Sequence, residues 1–469
     1  MSPSRRLLAA LLPALALAGC ASLVPHYQRP ELALPPSYSA PAAAAVLADG
    51  WWRAFGDPAL DRLVEEALGA NQDLAAAAAR VEEARALLGL TRADRYPELS
   101  AGASASRSRF SADNPQIPPG INLETDTFRA VAQLSYQVDF WGRFKAASAA
   151  ARAALLATEA GRANVRLEVA AEVVTAYLDR AGYRQQLEVA RQTLGSREES
   201  LRLERVRFES GTLSELDVAQ AEAELAATEA TVPGLERALR QTEVRLAVLL
   251  GRVGGSLEPG HDLGELALPE VPVGLPSSLL ARRPDVVAAE QELVAANARV
   301  AQARAAYFPL ISLTAYAGSE SSELSNLLGS GTFVWQAAAS LVQPIFNAGR
   351  TRRNVEAARA RELGALAAYK KAAESAFAEV ESALVALSTS AAERAARGRQ
   401  SAALERARDL ARLRYDAGDS SYLELLDAER NLFAAQLSLA RARRDELAAA
   451  VTLFQALGGG WGAEGTAAP

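Results

Sequence analysis

Between Tyr415 and Phe433 the chain reads YDAGDSSYLELLDAERNLF, its densest set of side chains able to do chemistry. Ser420, Glu424, Asp427 and Asn431 recur at i, i+4, i+7 and i+11, which is one face of a helix. Carboxylates so placed can exchange protons, attract a cation or repel one another. Leu423, Leu426, Leu432 and Phe433 flank them, so the expectation is a narrow polar stripe walled by apolar side chains. Gly418 can take positive φ ahead of that helix, and Asp419 or Ser420 is placed to cap it. Taken alone, the stripe reads as a solvated face whose acids suit a helix N-terminus.

Enzyme chemistry would need convergent acid, base or nucleophilic groups. The two histidines, His26 and His261, lie in a Pro-rich stretch and a Gly/Pro-rich linker, away from any candidate nucleophile. Cys20 is the single cysteine, so no intrachain disulfide is possible, and no Cys/His spacing suits a metal. No glycine-rich phosphate cradle follows a strand. The expectation is a protein that is not an enzyme, with no catalytic residue, cofactor or metal. No basic run is dense enough to imply nucleic acid.

The stretch occurs twice. FESGTLSELDVAQAEAEL, residues 208–225, matches 415–432, with Gly211 answering Gly418 at an offset of 207. Leu216 pairs with Leu423, Asp217 with Glu424 and Gln220 with Asp427, while Gly142-Arg143 answers Gly349-Arg350 at the same offset. Tyr96-Pro97 answers Phe308-Pro309 at 212, so one half carries a small insertion. A duplication of that extent is an architectural statement.

The elements that must position this stretch follow from the rest of the chain. Arg5 and Arg6 precede an apolar run from Leu7 to Leu17, a secretory signal too short to span a bilayer. Its ending, Leu17-Ala18-Gly19-Cys20, resembles the bacterial lipobox, which makes Cys20 the acylation (palmitate-bearing) site and first mature residue. Ser22 stands where an aspartate would signal inner-membrane retention, so the outer membrane is favoured. Loss of Arg5 and Arg6 with the signal moves the formal net charge from −6 to −8.

The expected layout is a signal at 1–19, an acylated Pro-rich strap at 20–50, a first repeat at 51–251 and a linker at 252–276. A second repeat at 277–458 and a C-terminal tail at 459–469 complete it. Half the residues are apolar but only 6% are aromatic, which points to long helices packed through alanine. No proline lies between Pro119 and Pro233, or between Pro344 and Pro469, so long helices should start near Arg143 and Arg350. Gly182 and Gly195 could interrupt the first. Ser277 or Ser278 should cap a short helix, and Arg283-Pro284-Asp285 should start another. Fifty continuous helical residues span about 75 Å, rods suited to antiparallel coiled-coil hairpins turning at Gly211 and Gly418.

From Thr127 to Phe140 the pattern changes to period two. Phe128, Ala130, Ala132, Leu134, Tyr136, Val138 and Phe140 alternate with a polar set broken only by Val131. Strands are expected at about 98–110, 127–141, 309–319 and 333–346, each long enough to cross a bilayer when tilted. Four strands cannot close a barrel, and an open edge is not viable in lipid. Either copies of the chain share one barrel, or the strands form a small soluble sheet capping a helical bundle.

WWRAFGDPALDRLVEEAL (51–68), LPSSLLARRPDV (275–286), FPLISLTAYAG (308–318), QPIFNAGR (343–350), the stretch at 415–433 and ALGGGW (456–461) together resemble the outer-membrane efflux factor family. More narrowly, they resemble its NodT-type acylated branch of TolC-like ducts. The resemblance implies a mainly α fold with β: antiparallel helical hairpins forming a periplasmic α-barrel, and four strands per chain in a shared 12-stranded transmembrane β-barrel. It further implies a homotrimer embedded in outer-membrane lipid, with the 252–276 linker in an equatorial belt. Its partners would be a periplasmic adaptor (a membrane fusion protein) and an inner-membrane pump of RND type. The implied function is the exit duct of a tripartite efflux system for small toxic compounds, with a bearing on antibiotic resistance.

By the same resemblance Leu423 and Asp427 fall on the periplasmic constriction. Glu424 falls on a position acidic in some relatives, and Tyr415 on one that helps hold the end closed. Ser420 stands where some relatives carry an arginine, so a Tyr-Arg latch of that kind is not expected. The turns Gly211-Thr212-Leu213 and Gly418-Asp419-Ser420 fall where the adaptor docks. The competing reading is a structural periplasmic lipoprotein, a helical spacer with no pore, which explains the rods and anchor but not the alternating strands.

Overall fold

The computed structural model describes residues 27–32, 35, 37–39, 49–111, 113, 118, 120, 122–255, 257, 258, 260–271 and 280–460. Cys20 with its lipobox, His26, the Ser277/Ser278 cap and the tail from 461 lie outside the described residues. In order come α1 (Pro58–Ala70), α2 (Gln72–Ala93), β1 (Glu98–Arg109), β2 (Glu124–Val138), α3 (Arg143–Glu209) and α4 (Glu215–Leu249). They are followed by α5 (Pro284–Ala305), β3 (Leu310–Ser321), β4 (Phe333–Val342), α6 (Arg350–Asp416) and α7 (Tyr422–Ala456).

The duplication is visible in the lengths. α3 and α6 each have 67 residues, α4 and α7 each 35, and α2 and α5 each 22. At about 1.5 Å per residue the longest pair are rods of about 100 Å. Gly182 and Gly195 do not interrupt α3. A Cβ on Gly182 would stand 3.2 Å from Cγ of Arg444, so its bareness lets an α7 side chain pass close by. Gly195 costs only helix propensity, about 1 kcal/mol against alanine, which a helix packed along its length absorbs.

Two compact units cut across the repeats, each drawing on both halves of the duplication. Among the described residues, one comprises the stretch up to Pro30, with Glu82–Ala157 and Glu290–Ala368, and holds the sheet; the other comprises Glu31–Val81, Thr158–Ala289 and the chain from Tyr369 on.

The sheet is antiparallel with order β1-β2-β3-β4, so β2 and β3, from different repeats, pair at its centre. β2 begins at Glu124, earlier than the alternation suggested, and stops at Val138 because Phe140-Trp141 already belong to the turn into α3. β4 stops at Val342, short of the expected 346, since Pro344 has no amide to donate to the ladder. The register brings Leu134 beside Leu99 and Ala315, and Ala132 beside Ala101 and Ala317, so the apolar sets of all four strands share one face. Val131, the exception on the polar face, lies between Gly102 and Gly318. A Cβ on Gly318 would strike the Ala130 carbonyl at 2.1 Å, so only glycine fits there.

In the other unit the second of the two arginines before Pro284 has a structural task. Arg283 is buried, pairs with Asp285 at 2.8 Å and with Glu379, and donates to the Ala456 carbonyl at 3.2 Å. One guanidinium thus joins the start of α5, the middle of α6 and the last turn of α7. Asp57 is a similar node: it accepts from the amides of Ala59 (2.8 Å) and His261 (2.9 Å) and from the Tyr177 hydroxyl. Burial alone would raise its carboxyl, but those hydrogen bonds outweigh it and hold the pKa below the ordinary value. Among the described residues no helix is long and apolar enough to cross a membrane.

Arg283→Ala is expected to cost about 1–3 kcal/mol, because it leaves the buried Ala456 carbonyl unpaired while the partly exposed Asp285 and Glu379 regain water. Arg283→Lys should recover only part of that, since a single ammonium cannot reproduce the fork. Thermal unfolding of the purified protein checks both, and an unchanged midpoint for Arg283→Ala would contradict the assignment.

Candidate functional site

The two hairpin tips are built alike. Gly211 and Gly418 sit at φ 74° and 80°. Thr212 donates its amide to the Arg207 carbonyl at 3.0 Å and Asp419 to Arg414 at 2.9 Å, while each glycine amide bonds three residues back. These are Schellman ends, and a Cβ on either glycine would meet nothing within 4 Å. The glycines are required by the left-handed backbone, not by space.

Because the Asp419 amide closes that turn, Asp419 and Ser420 are used up in it, and neither caps the next helix. The cap is Ser421, extended at φ −76° and ψ 157°, with no side-chain hydrogen bond. Ser420 therefore lies ahead of α7 and not on its stripe. In the first repeat Asp217 accepts from both the amide (3.2 Å) and the hydroxyl (2.8 Å) of Ser214, fixing the start of α4.

Along the first turns of α7, Tyr422, Leu425, Leu426 and Leu432 are buried and Leu423, Glu424, Asp427 and Asn431 are exposed. Leu423, expected on the flank, belongs to the polar face and is 53% exposed. Asn431 donates to Asp427 at 3.0 Å, and Glu424 is paired with Arg414 from α6.

Behind that face the hairpins are cross-linked by charges that no sequence period announced. The Tyr415 hydroxyl donates to Glu204 of α3 at 2.7 Å, and the Arg207 guanidinium lies 5.1 Å from the Tyr415 ring centre. Tyr415 is thus held by Glu204 and Arg207 of α3 and not by the residue at 420. Burial, then the bond to Glu204, pushes its hydroxyl far above the ordinary range. One turn of contacts away, Leu201, Ala221, Tyr422 and Leu426 form a buried cluster with Val218, Leu225 and Tyr415 against it. Deeper, Glu224 of α4 takes Arg197 of α3 and Arg430 of α7. Arg197 is almost wholly buried.

The sheet has its own functional geometry: an apolar face, a polar face and, among the described residues, free edges on β1 and β4. Its strands of 10 to 15 residues match a tilted crossing of a bilayer. Joined to paired rods, such a sheet defines the class of protein as a subunit of an outer-membrane channel.

The comparisons narrow the class. A family model for outer membrane efflux proteins matches residues 63–252 and 275–459, and the chain belongs to that family. The probable outer membrane lipoprotein SilC of Salmonella typhimurium is 36% identical over 453 residues, spanning 95% of this chain and 96% of its own. The toluene efflux pump outer membrane protein TtgI of Pseudomonas putida is 38% identical over 459 residues, spanning 95% and 97%. The open state of the MtrE outer membrane channel of Neisseria gonorrhoeae has a TM-score of 0.85 at 32% identity, covering 94% of this chain and 98% of that one. The protein is an exit duct in the outer membrane, and these likenesses do not support a spacer without a pore. Members of the family serve as the outer-membrane channels of efflux pumps, alongside adaptors and inner-membrane pumps.

Glu429, on α7 two turns past the tip, gives this end a pH dependence. Burial raises its carboxyl above the ordinary 4.5, although Arg197, Arg412 and Arg408 pull it down; Glu224 adds to the rise. Tyr422 is pushed up to about 12 by burial, with Glu429 and Glu204 contributing. Since the folded chain keeps the Glu429 proton to higher pH than the unfolded chain, this group lowers stability as pH rises from 4.5 through its raised folded value. Glu429→Gln is therefore expected to flatten the melting temperature over that window. An equal slope in both proteins would contradict the burial argument.

Proposed function

We propose that three copies of this chain assemble into a duct that carries small toxic compounds from the periplasm to the exterior. The observation that supports it most is the amphipathic four-stranded sheet with two unpaired edges, which three copies would close into twelve strands. Acylation of Cys20 would add an anchor without forming the pore. An RND-type pump and its adaptor would complete the system, the adaptor seating on the tips at Gly211-Thr212-Leu213 and Gly418-Asp419-Ser420.

Leu423 and Asp427 would form the constriction, with Glu424 beside them and Tyr415 behind. Around a threefold axis, Asp427 carboxylates about 6 Å apart repel by about 3 kcal/mol per pair at an effective dielectric near 20. The leucines oppose opening by burying apolar surface together, worth about 1.5–3 kcal/mol for each side chain fully buried. The two effects are comparable, so the gate is poised rather than locked.

Single-channel recording in planar bilayers tests the assignment. Leu423→Ser should raise leak conductance more than Asp427→Ala, while Asp427→Ala should chiefly weaken block by divalent cations added from the periplasmic side. If neither substitution alters conductance or block in an assembled trimer, these residues do not line the constriction. In cells, Leu213→Glu with Ser420→Glu should give normal trimers without efflux; undiminished efflux would remove the docking role. Cys20→Ser behind an ordinary cleavable signal should keep trimers and part of the efflux, and their complete loss would show that the anchor is needed for assembly.

A further inference from the structure

Five of the seven described α-helices obey the macrodipole by carrying an acid in the first turn: Asp61, Asp73, Glu215 with Asp217, Asp285 and Glu424. The two exceptions, α3 and α6, are the ones that start directly below the sheet. They open instead with Arg143 and Lys145, and with Arg350, Arg352 and Arg353. Positive side chains there work against the helix dipole. Local capping does not ask for them, because the Asp139 carboxylate already accepts from the amides of Phe144 (3.1 Å) and Lys145 (2.8 Å). Among the described residues Arg143, Lys145 and Arg350 form no ion pair. All are exposed, as are Arg92 and Arg95 at the end of α2.

Between these cations and the apolar face lies an aromatic layer. The last apolar row of the sheet is Val138, Ile311 and Leu341. Just past it the Trp141 ring stacks on Phe308 at 4.6 Å and donates to the Pro309 carbonyl at 2.9 Å. Ile345 and Phe346 are 90% and 89% exposed. Aromatic rings at the edge of an apolar band, with cations two to four residues further along the chain, are what a bilayer's headgroup region selects. The cations follow directly on the last apolar row and the aromatic pair at the same end of the sheet, and their charge is complementary to lipid phosphate.

We propose that Arg143, Lys145 and Arg350, below the Trp141–Phe308 layer, form a basic collar that binds the headgroups of anionic phospholipids in the leaflet nearest the helices. The inference rests on the reading that the apolar sheet face meets lipid. Attraction of this kind is screened within about 10 Å at 0.1 M salt, so it should be salt-sensitive.

The test is lipid retention by the purified full-length protein, measured by native mass spectrometry after titration with phosphatidylglycerol or with phosphatidylcholine of the same acyl chains. The expected result is a preference for phosphatidylglycerol of about fivefold or more, lost in high salt. It should be abolished in Arg143→Gln/Lys145→Gln/Arg350→Gln and kept in Arg143→Lys/Arg350→Lys. Retention that is equal for the two lipids in the wild type, or unchanged in the Gln variant, overturns the collar; so does retention of lipopolysaccharide in place of phosphatidylglycerol. Single-channel recording on the same wild-type preparation separates the two readings. A wild type that conducts but shows no lipid preference removes the collar alone, and one that does not conduct removes the duct. Should the Gln variant not fold, the salt titration of the wild type decides.

Discussion

Unpaired backbone groups cannot be left in hydrocarbon. Each exposed amide or carbonyl on a strand edge costs several kcal/mol there. In this chain β1 and β4 are the outer strands of a sheet whose apolar face runs along β2 from Phe128 to Val138. That cost makes one copy insufficient and turns assembly into a condition of insertion rather than a later embellishment. The duplication provides the economy: two similar hairpins meet at β2 and β3, so each copy brings one continuous four-stranded piece of wall.

The helices answer a different demand, that of rods which must pack along their length. Alanine dominates the buried surface, so neighbouring backbones approach closely and no single large side chain fixes the register. Register is set instead by buried or half-buried ion pairs and hydrogen bonds such as Glu204 with Tyr415, Arg197 with Glu224, and Arg394 with Glu446. Pairs of this kind contribute little net stability, but breaking one leaves an uncompensated charge. They suit a tip that holds one arrangement and, when it moves, moves to another discrete one.

Much of this is legible in the sequence, for physical reasons. Alternation from Phe128 to Phe140 discloses which strand face is apolar, because a strand has period two whatever its partners. The proline-free spans and the 207-residue offset mark the long helices and their turns. The tip cross-links are not legible, since Tyr415 and Glu204 lie 211 residues apart and share no period. Spacing alone puts Leu423 on the flank, and whether a flank is covered depends on neighbouring helices that the spacing does not reveal; the Schellman turn that closes on the Asp419 amide likewise moves the cap to Ser421. Gly182 reads as a break but is a close approach to Arg444, a distinction only the neighbouring helix can make.

The most direct measurement of the central claim is cross-linking across the strand edges. Cysteines stepped along β1 (Ala101, Ala103) and along β4 (Phe333, Trp335, Ala337) can be paired in membranes and the products sized on a denaturing gel. A shared barrel predicts that one register of β1 with β4 gives covalent dimers and trimers, with nothing larger and no cross-link within a single chain. Monomers inserted in the membrane with the same cysteines unreacted in every register, or joined within one chain, would contradict it.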